Sequence, residues 1–117
     1  MTATTQILKQ LQLLQELVQK DEEKDEVMEV TVSKLVSYEL EKLKGRQSRI
    51  REKLIAFEER YSLKTDEFYQ RFRQGKMGDE MDFFEWSALA DIHQEISQRL
   101  AEAERVSNAS PNPGTAQ

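Results

Sequence analysis

The sequence predicts an all-α fold: an elongated antiparallel helical hairpin or coiled coil, with a short connecting helix and an N-terminal amphipathic helix. Two long stretches place apolar residues at alternating spacings of four and three, the pattern of helices that pack along their length. The 117 residues include only two prolines and four glycines, and 33% of them are charged against 38% hydrophobic. This balance favours long solvated helices whose apolar faces are covered by another helix or another chain.

The first predicted helix covers residues 5–20. Its apolar stripe recurs at helical spacing and widens on one side, so we expect an amphipathic helix that needs a partner face; the stripe is Ile7, Leu11, Leu14 and Val18, widened by Leu8, Leu13 and Leu17. The acidic segment DEEKDE, Asp21–Glu26, follows. We interpret it as a solvated hinge, because acidic groups at a helix C-terminus oppose the helix dipole.

Residues 27–32, VMEVTV, allow two interpretations. In the simpler one, Thr31 caps a helix that begins at Ser33. In the other, the β-branched run forms a short strand that pairs across a dimer, as in ribbon-helix-helix DNA-binding proteins.

The longest predicted helix spans residues 33–61. Its seam alternates four and three without a slip through Val36, Leu40, Leu43, Gln47, Ile50, Leu54, Phe57 and Tyr61. Gln47 is the one polar residue at a seam position. Such a residue fixes the register or the number of helices in many coiled coils, and a glutamine that reaches solvent is the alternative.

A short helix and a second long one complete the hairpin. We expect the hydroxyl of Thr65 to cap the short helix and Gly75 to end it, and Asp79 or Asp82 to cap the last helix. The seam of that helix is Trp86, Leu89, His93, Ile96, Leu100 and Ala103. The predicted organisation is an N-terminal helix and hinge (1–26), a helical hairpin (27–106) and a disordered tail (107–117).

Five aromatic residues are expected to close this hairpin in one cluster. They flank the predicted connector and are Tyr61, Phe68, Phe72, Phe83 and Trp86. Such a cluster explains the dense aromatic stretch after Gly78 without any catalytic role.

The composition gives little support to catalysis or to a metal centre. The chain has no cysteine and a single histidine, His93, which we interpret as a buried or half-buried structural residue. The carboxylates of 79–85 do not follow the spacing of a calcium loop, and helix capping accounts for them. We therefore expect that the protein is not an enzyme and binds no cofactor and no metal. Because the chain has no run of 18 consecutive apolar residues, we also expect it to be cytoplasmic and to make no membrane contact.

Basic residues cluster in the middle of the long helix. Residues 33–60 carry eight basic and five acidic side chains, although the whole chain has a net charge of −5. The basic band comprises Lys42, Lys44, Arg46, Arg49, Arg51 and Lys53. Nucleic-acid contact is one interpretation, and pairing with the acidic ends of another chain is the favoured one.

Residues 35–100 resemble a family of small prokaryotic helical proteins, the antitoxin-like proteins of two-gene toxin–antitoxin modules, encoded beside a small nuclease-type toxin. The resemblance rests on three motifs: FEERY (Phe57–Tyr61), TDEFYQRF (Thr65–Phe72) and GKMGDEMDFFEW (Gly75–Trp86). The motif residues carried over are Phe68, Tyr69, Phe72, Gly75, Gly78, Asp79, Asp82, Phe83 and Trp86. They determine the fold, contact the toxin, or do both.

The resemblance implies function by binding: the helices sequester a small toxin without turnover, in a chain that we expect to be a homodimer. Two alternatives remain. The chain is a nucleic-acid-associated regulator that uses the basic band, or an acidic decoy that inhibits a nucleic-acid enzyme.

Overall fold

Four helices build the protein, as seen in a computed structural model that describes residues 2–109. They are α1 (Ala3–Gln19), α2 (Glu26–Tyr61), α3 (Thr65–Arg73) and α4 (Met81–Ala109). No strand occurs within the described residues, so the predicted all-α class is confirmed. Residues up to Leu35 form one compact unit, and those from Val36 onward form a second.

Helix α1 ends where the acidic segment begins. Thr2 caps its start, because the Thr2 hydroxyl oxygen accepts a hydrogen bond from the Thr5 amide at 3.1 Å. Its last helical residue is Gln19, and residues 21–25 lie outside any helix with exposed side chains. The acidic segment is therefore a solvated connection, as predicted.

Helix α2 begins seven residues before the predicted start at Ser33. Residues 27–32 are helical, so both the strand and the Thr31 cap are wrong. The start is fixed by Asp25, whose Oδ1 accepts a hydrogen bond from the Met28 amide at 3.0 Å, and by two glutamates in the first turn. A side-chain cap stabilises a helix by about 1 kcal/mol, and acidic side chains at the N-terminus interact favourably with the helix dipole. Together these two effects outweigh the weak preference of valine for strands.

Helices α2 and α4 form the predicted antiparallel hairpin. The Gln47 Nε2 donates to Ser97 Oγ at 3.0 Å, while Tyr61, further along α2, contacts Asp82 at the start of α4. The hairpin core consists of Ile50, Leu54, Phe57, Phe68, Phe83, Trp86 and Ile96. Every seam position of α4 is buried or half-buried, and so is every seam position of α2 except Val36, which is 50% exposed.

The turns around α3 depend on left-handed backbone. Helix α2 ends at Tyr61; the next residue, Ser62, has φ 51°, and the Leu63 amide then donates back to the Glu58 carbonyl. Gly75 ends α3 with φ 73°, as predicted, and Gly78 repeats this conformation with φ 84°. A side chain is disfavoured at such angles, which explains the two glycines between α3 and α4.

The end of α4 differs from the predicted tail. The helix continues through Ala109, so residues 107–109 are helical where disorder was expected. The remainder of the tail lies outside the described residues.

Candidate functional site

The aromatic cluster contains the most deeply buried side chains of the hairpin. The Trp86 and Phe68 side chains are fully buried, and their rings stack with centroids 3.9 Å apart and planes 2° apart. Phe57 also stacks on Trp86 at 5.5 Å, and Tyr61 lies 5.1 Å from Phe83. The predicted five-residue cluster is confirmed, with Phe57 as a sixth member.

Thr65 connects this cluster to the start of α3. Its hydroxyl oxygen accepts a hydrogen bond from Trp86 Nε1 at 3.1 Å, and the predicted capping role is therefore wrong. The cap position belongs to Lys64, whose side chain makes no cap hydrogen bond. The Thr65 amide instead donates to Glu58 Oε2 at 2.8 Å. Burial raises the pKa of Glu58, but the hydrogen bonds from Thr65 together with the charges of Lys64 and Arg51 outweigh burial, so the net pKa is lowered.

A second polar contact fixes the other end of the cluster. The Tyr61 hydroxyl donates to Asp82 Oδ2 at 2.5 Å, and the Arg60 guanidinium binds the same oxygen at 2.8 Å. The bond from Tyr61 and the charge of Arg60 together lower the pKa of Asp82. Asp82 lies in the first turn of α4, so its carboxylate both favours the helix dipole and joins α4 to the end of α2.

Most motif residues of the resemblance belong to the aromatic cluster or to the polar contacts and turn beside it. Phe68, Phe83 and Trp86 are buried, while Tyr69, Phe72 and Asp82 are half-buried, and Tyr69 donates to Asp91 at 2.5 Å. Gly75 and Gly78 form the turn, and Asp79 is exposed. The buried members determine the fold and present no surface to a partner. Toxin contact by the accessible members remains a prediction.

The N-terminal unit has the opposite character, because no side chain of residues 2–35 is buried. Ten large apolar side chains expose between 37% and 76% of their surface. We refer to them as the N-terminal apolar surface: Ile7, Leu8, Leu11, Leu13, Leu17, Val18, Val27, Val30, Val32 and Leu35.

An open groove lies within this surface, between α1 and the first turns of α2. It has a volume of about 670 Å³. Leu11, Leu14 and Val18 line it from α1, and Met28 and Val32 line it from α2. Leu14 and Met28 are only half-buried, so the two helices leave the apolar stripe of α1 largely uncovered.

The residues of the basic band lie on two different sides of α2. Spacings of four, three and four place Lys42, Arg46, Arg49 and Lys53 on one side, while Lys44 and Arg51 fall on another. All six side chains are exposed. Lys42 pairs with Glu39 at 3.0 Å, which raises the pKa of Lys42, and Lys44 lies 3.8 Å from Glu41.

Three members of the first side meet α4 at a groove of about 650 Å³. We define this cationic groove by Lys42, Arg46, Arg49 and Arg99 on its rim and by Leu40, Leu43 and Ala103 beneath, with Glu39 and Glu41 at one edge. Among the described residues, Arg46, Arg49 and Arg99 make no ion pair. Sequence reasoning missed Arg99, since its place opposite Arg46 follows only from the register that Gln47 and Ser97 set.

The remaining candidates carry no recognisable chemistry. His93 is half-buried, in agreement with a structural role, and lines a shallow depression with Leu54 and Tyr69. In the part of the chain that the structure describes, no three acidic or histidine side chains converge as metal ligands would. Nor does any described helix have the length and apolar character needed to cross a bilayer.

Comparison with known proteins gave no relative. No protein-family profile, curated protein or solved structure matches the chain significantly.

Proposed function

We propose that the protein is an interaction module that binds another polypeptide through its N-terminal apolar surface, and that the bound protein is a small toxin which it sequesters. The observation that carries the proposal is the contrast between the two units. The hairpin encloses a core of seven buried residues, whereas residues 2–35 bury none and expose ten large apolar side chains.

Such exposure is energetically unfavourable in an isolated chain. Covering apolar surface stabilises by about 25 cal/mol per Å², and soluble monomers rarely expose apolar patches larger than a few hundred Å². An amphipathic helix with an uncovered stripe is typical of the helix-in-groove mode of recognition. A protein partner is therefore the natural cover for α1 and the first turns of α2.

The toxin as partner comes from the resemblance of the three motifs. The buried motif residues build the hairpin core, so binding falls to the exposed helical faces. A sequestering protein needs rigid, complementary surface and no catalytic group.

The test uses a tagged chain purified from native lysate after nuclease treatment, in two matched double variants. Leu13→Ser with Leu17→Ser removes apolar surface four residues apart on α1 and outside the groove. Met81→Ser with Val106→Ser removes two apolar side chains of α4 that are at least as exposed, at 81% and 61% against 56% and 57%, and is the control. We expect a stoichiometric small protein with the wild type and the control, and its loss with the α1 variant.

Co-expression then separates an antitoxin from any other binder. The recovered protein alone should arrest growth, and the wild-type chain should restore growth while the α1 variant should not. A recovered protein that is harmless when expressed alone contradicts the antitoxin proposal but leaves the interaction module intact. Equal recovery with both variants contradicts the proposed surface.

A further inference from the structure

Three of the four cations of the cationic groove have no anionic partner among the described residues. Arg46, Arg49 and Arg99 converge on it without an ion pair. Guanidinium groups bind carboxylates and phosphates through paired hydrogen bonds, and three unpaired groups side by side repel one another. An anion that lies across the groove relieves this repulsion.

The groove fits a polypeptide better than a nucleic-acid backbone. Half-buried Leu40, Leu43 and Ala103 form its floor, and these side chains offer nothing to a phosphate. Glu39 and Glu41 at its edge, and the net charge of −5, repel a polyanion. An acidic segment flanked by apolar residues matches both the floor and the rim.

The chain contains such a segment in Asp21–Glu26. It carries five acidic residues and one lysine, all of them exposed, and its carboxylates make no ion pair with any described residue. Val27 and Val30 follow directly and are 76% and 53% exposed. The segment therefore combines the charge that the groove lacks with apolar side chains for its floor.

A second copy can present this segment with the correct symmetry. In a reciprocal pair of chains, the acidic segment of each copy binds the cationic groove of the other. This is an isologous contact, in which both copies use the same surfaces and the charge pairs form twice.

An exposed aromatic side chain beside the basic residues adds apolar contact. Tyr38 is 63% exposed and lies four residues before Lys42 on the same side of α2, where the Lys42 ammonium lies 5.2 Å from the ring centroid. We propose that the protein forms a two-fold homodimer in which Asp21–Glu26 of each copy binds the cationic groove of the other.

The experiment measures the dimer dissociation constant of the purified full chain by sedimentation equilibrium. The groove variant is Arg46→Glu with Arg49→Glu, and the acidic variant is Glu22→Lys with Glu23→Lys. Lys44→Glu with Arg51→Glu makes the same change of charge on the other side of α2 and is the control. Because nothing but the purified chain is present, this result is independent of the toxin proposed above.

We expect each of the groove and acidic variants to weaken the dimer by about 100-fold, since the first puts acidic groups opposite the acidic segment and the second cancels the net negative charge of that segment. The control should change the constant by less than about threefold, and raised salt should weaken the wild-type dimer. The decisive result is a mixture: the groove and acidic variants should form a heterodimer, because their reversed charges match at both contacts.

Three results overturn the proposal: a monomeric wild type, equal weakening by the control, or failure of the two variants to associate when mixed. Circular dichroism first verifies that both variants are helical, so that a failure to associate reports on the contact and not on folding. Salt-sensitive binding of duplex DNA by the wild type, lost in the groove variant, would assign the groove to nucleic acid and overturn the dimer contact as well.

Discussion

The indole Nε1 of Trp86 donates a hydrogen bond to the hydroxyl oxygen of Thr65 at 3.1 Å. This bond links the first turn of α3 to α4 in the centre of the aromatic cluster. Trp86 is fully buried, so its N–H needs a partner inside the protein. Thr65 supplies one, while its own amide is satisfied by Glu58.

Trp86→Ala should lower the free energy of unfolding by about 3–5 kcal/mol, since it removes a large buried ring and leaves a cavity. Urea unfolding followed by circular dichroism measures the change. An unchanged midpoint together with lost partner binding would contradict the core role and make Trp86 a contact residue.

Thr65→Val keeps the shape of the side chain but leaves the indole N–H without its acceptor. We expect a loss of about 1–3 kcal/mol, the usual cost of an unsatisfied buried donor. Thr65→Ser retains the hydroxyl and is the matched control in the same urea titration. If the Thr65→Val and Thr65→Ser variants lose the same free energy of unfolding, the hydrogen bond does not stabilise the protein at this position.

The Asp82 carboxylate should make the stability of the hairpin depend on acidic pH. Its pKa is lowered by Tyr61 and Arg60 in the folded protein, so the folded state binds the proton less readily than the unfolded state. The stabilisation is fully present above the unfolded value of about 3.9 and is lost as pH falls through the lower folded value. The difference in unfolding free energy between wild type and Asp82→Asn should therefore be constant near neutral pH and shrink below about pH 4. A difference independent of pH down to acid unfolding would contradict the ionic role of Asp82.

The seams of α2 and α4 were predictable because a four–three spacing leaves a helix only one face to bury. Trp86, Leu89 and Ile96 therefore faced α2 as expected, and the aromatic cluster followed from an antiparallel pairing of the two seams. Gly75 was predictable for the same local reason, since only glycine adopts its φ without strain.

What sequence reasoning missed depends on competing local hydrogen bonds and on register. Asp25 and Thr31 were both acceptable caps, and the choice between them was decided by the acids after Asp25. The Thr65 hydroxyl was expected to accept a capping hydrogen bond from an amide of its own helix, whereas in the fold it accepts a hydrogen bond from the indole of Trp86. The cationic groove needed Arg99 from a second helix, and its position follows only from the Gln47–Ser97 contact.

Two glycine substitutions should change stability in opposite directions. Gly45 lies within α2, and an added Cβ would meet only Arg49 Nη1, at an ordinary 3.5 Å, so Gly45→Ala should stabilise by about 1 kcal/mol. Gly75 has open space around it but φ 73°, and Gly75→Ala should destabilise by about 1–2 kcal/mol through backbone strain alone. Thermal unfolding of the two single variants measures both signs, and a destabilising Gly45→Ala would contradict the prediction that a methyl group at this position is accommodated.

The hydrogen bond from Gln47 to Ser97 should act as a register device at low net cost. Both groups are partly buried, so Ser97→Ala removes the acceptor of the Gln47 amide and should cost about 1 kcal/mol or more. Gln47→Leu together with Ser97→Ala replaces the pair by apolar groups and should be neutral or stabilising, because no unsatisfied polar group remains. A double-mutant cycle in urea measures the coupling, with Ser87→Ala, also on α4 and half-buried, as the uncoupled control. The amide NMR signals of the apolar double variant should also be broader than those of the wild type, because alternative alignments of the two seams become accessible. A coupling of zero, with a sharp spectrum in the double variant, would show that the apolar seam alone sets the register.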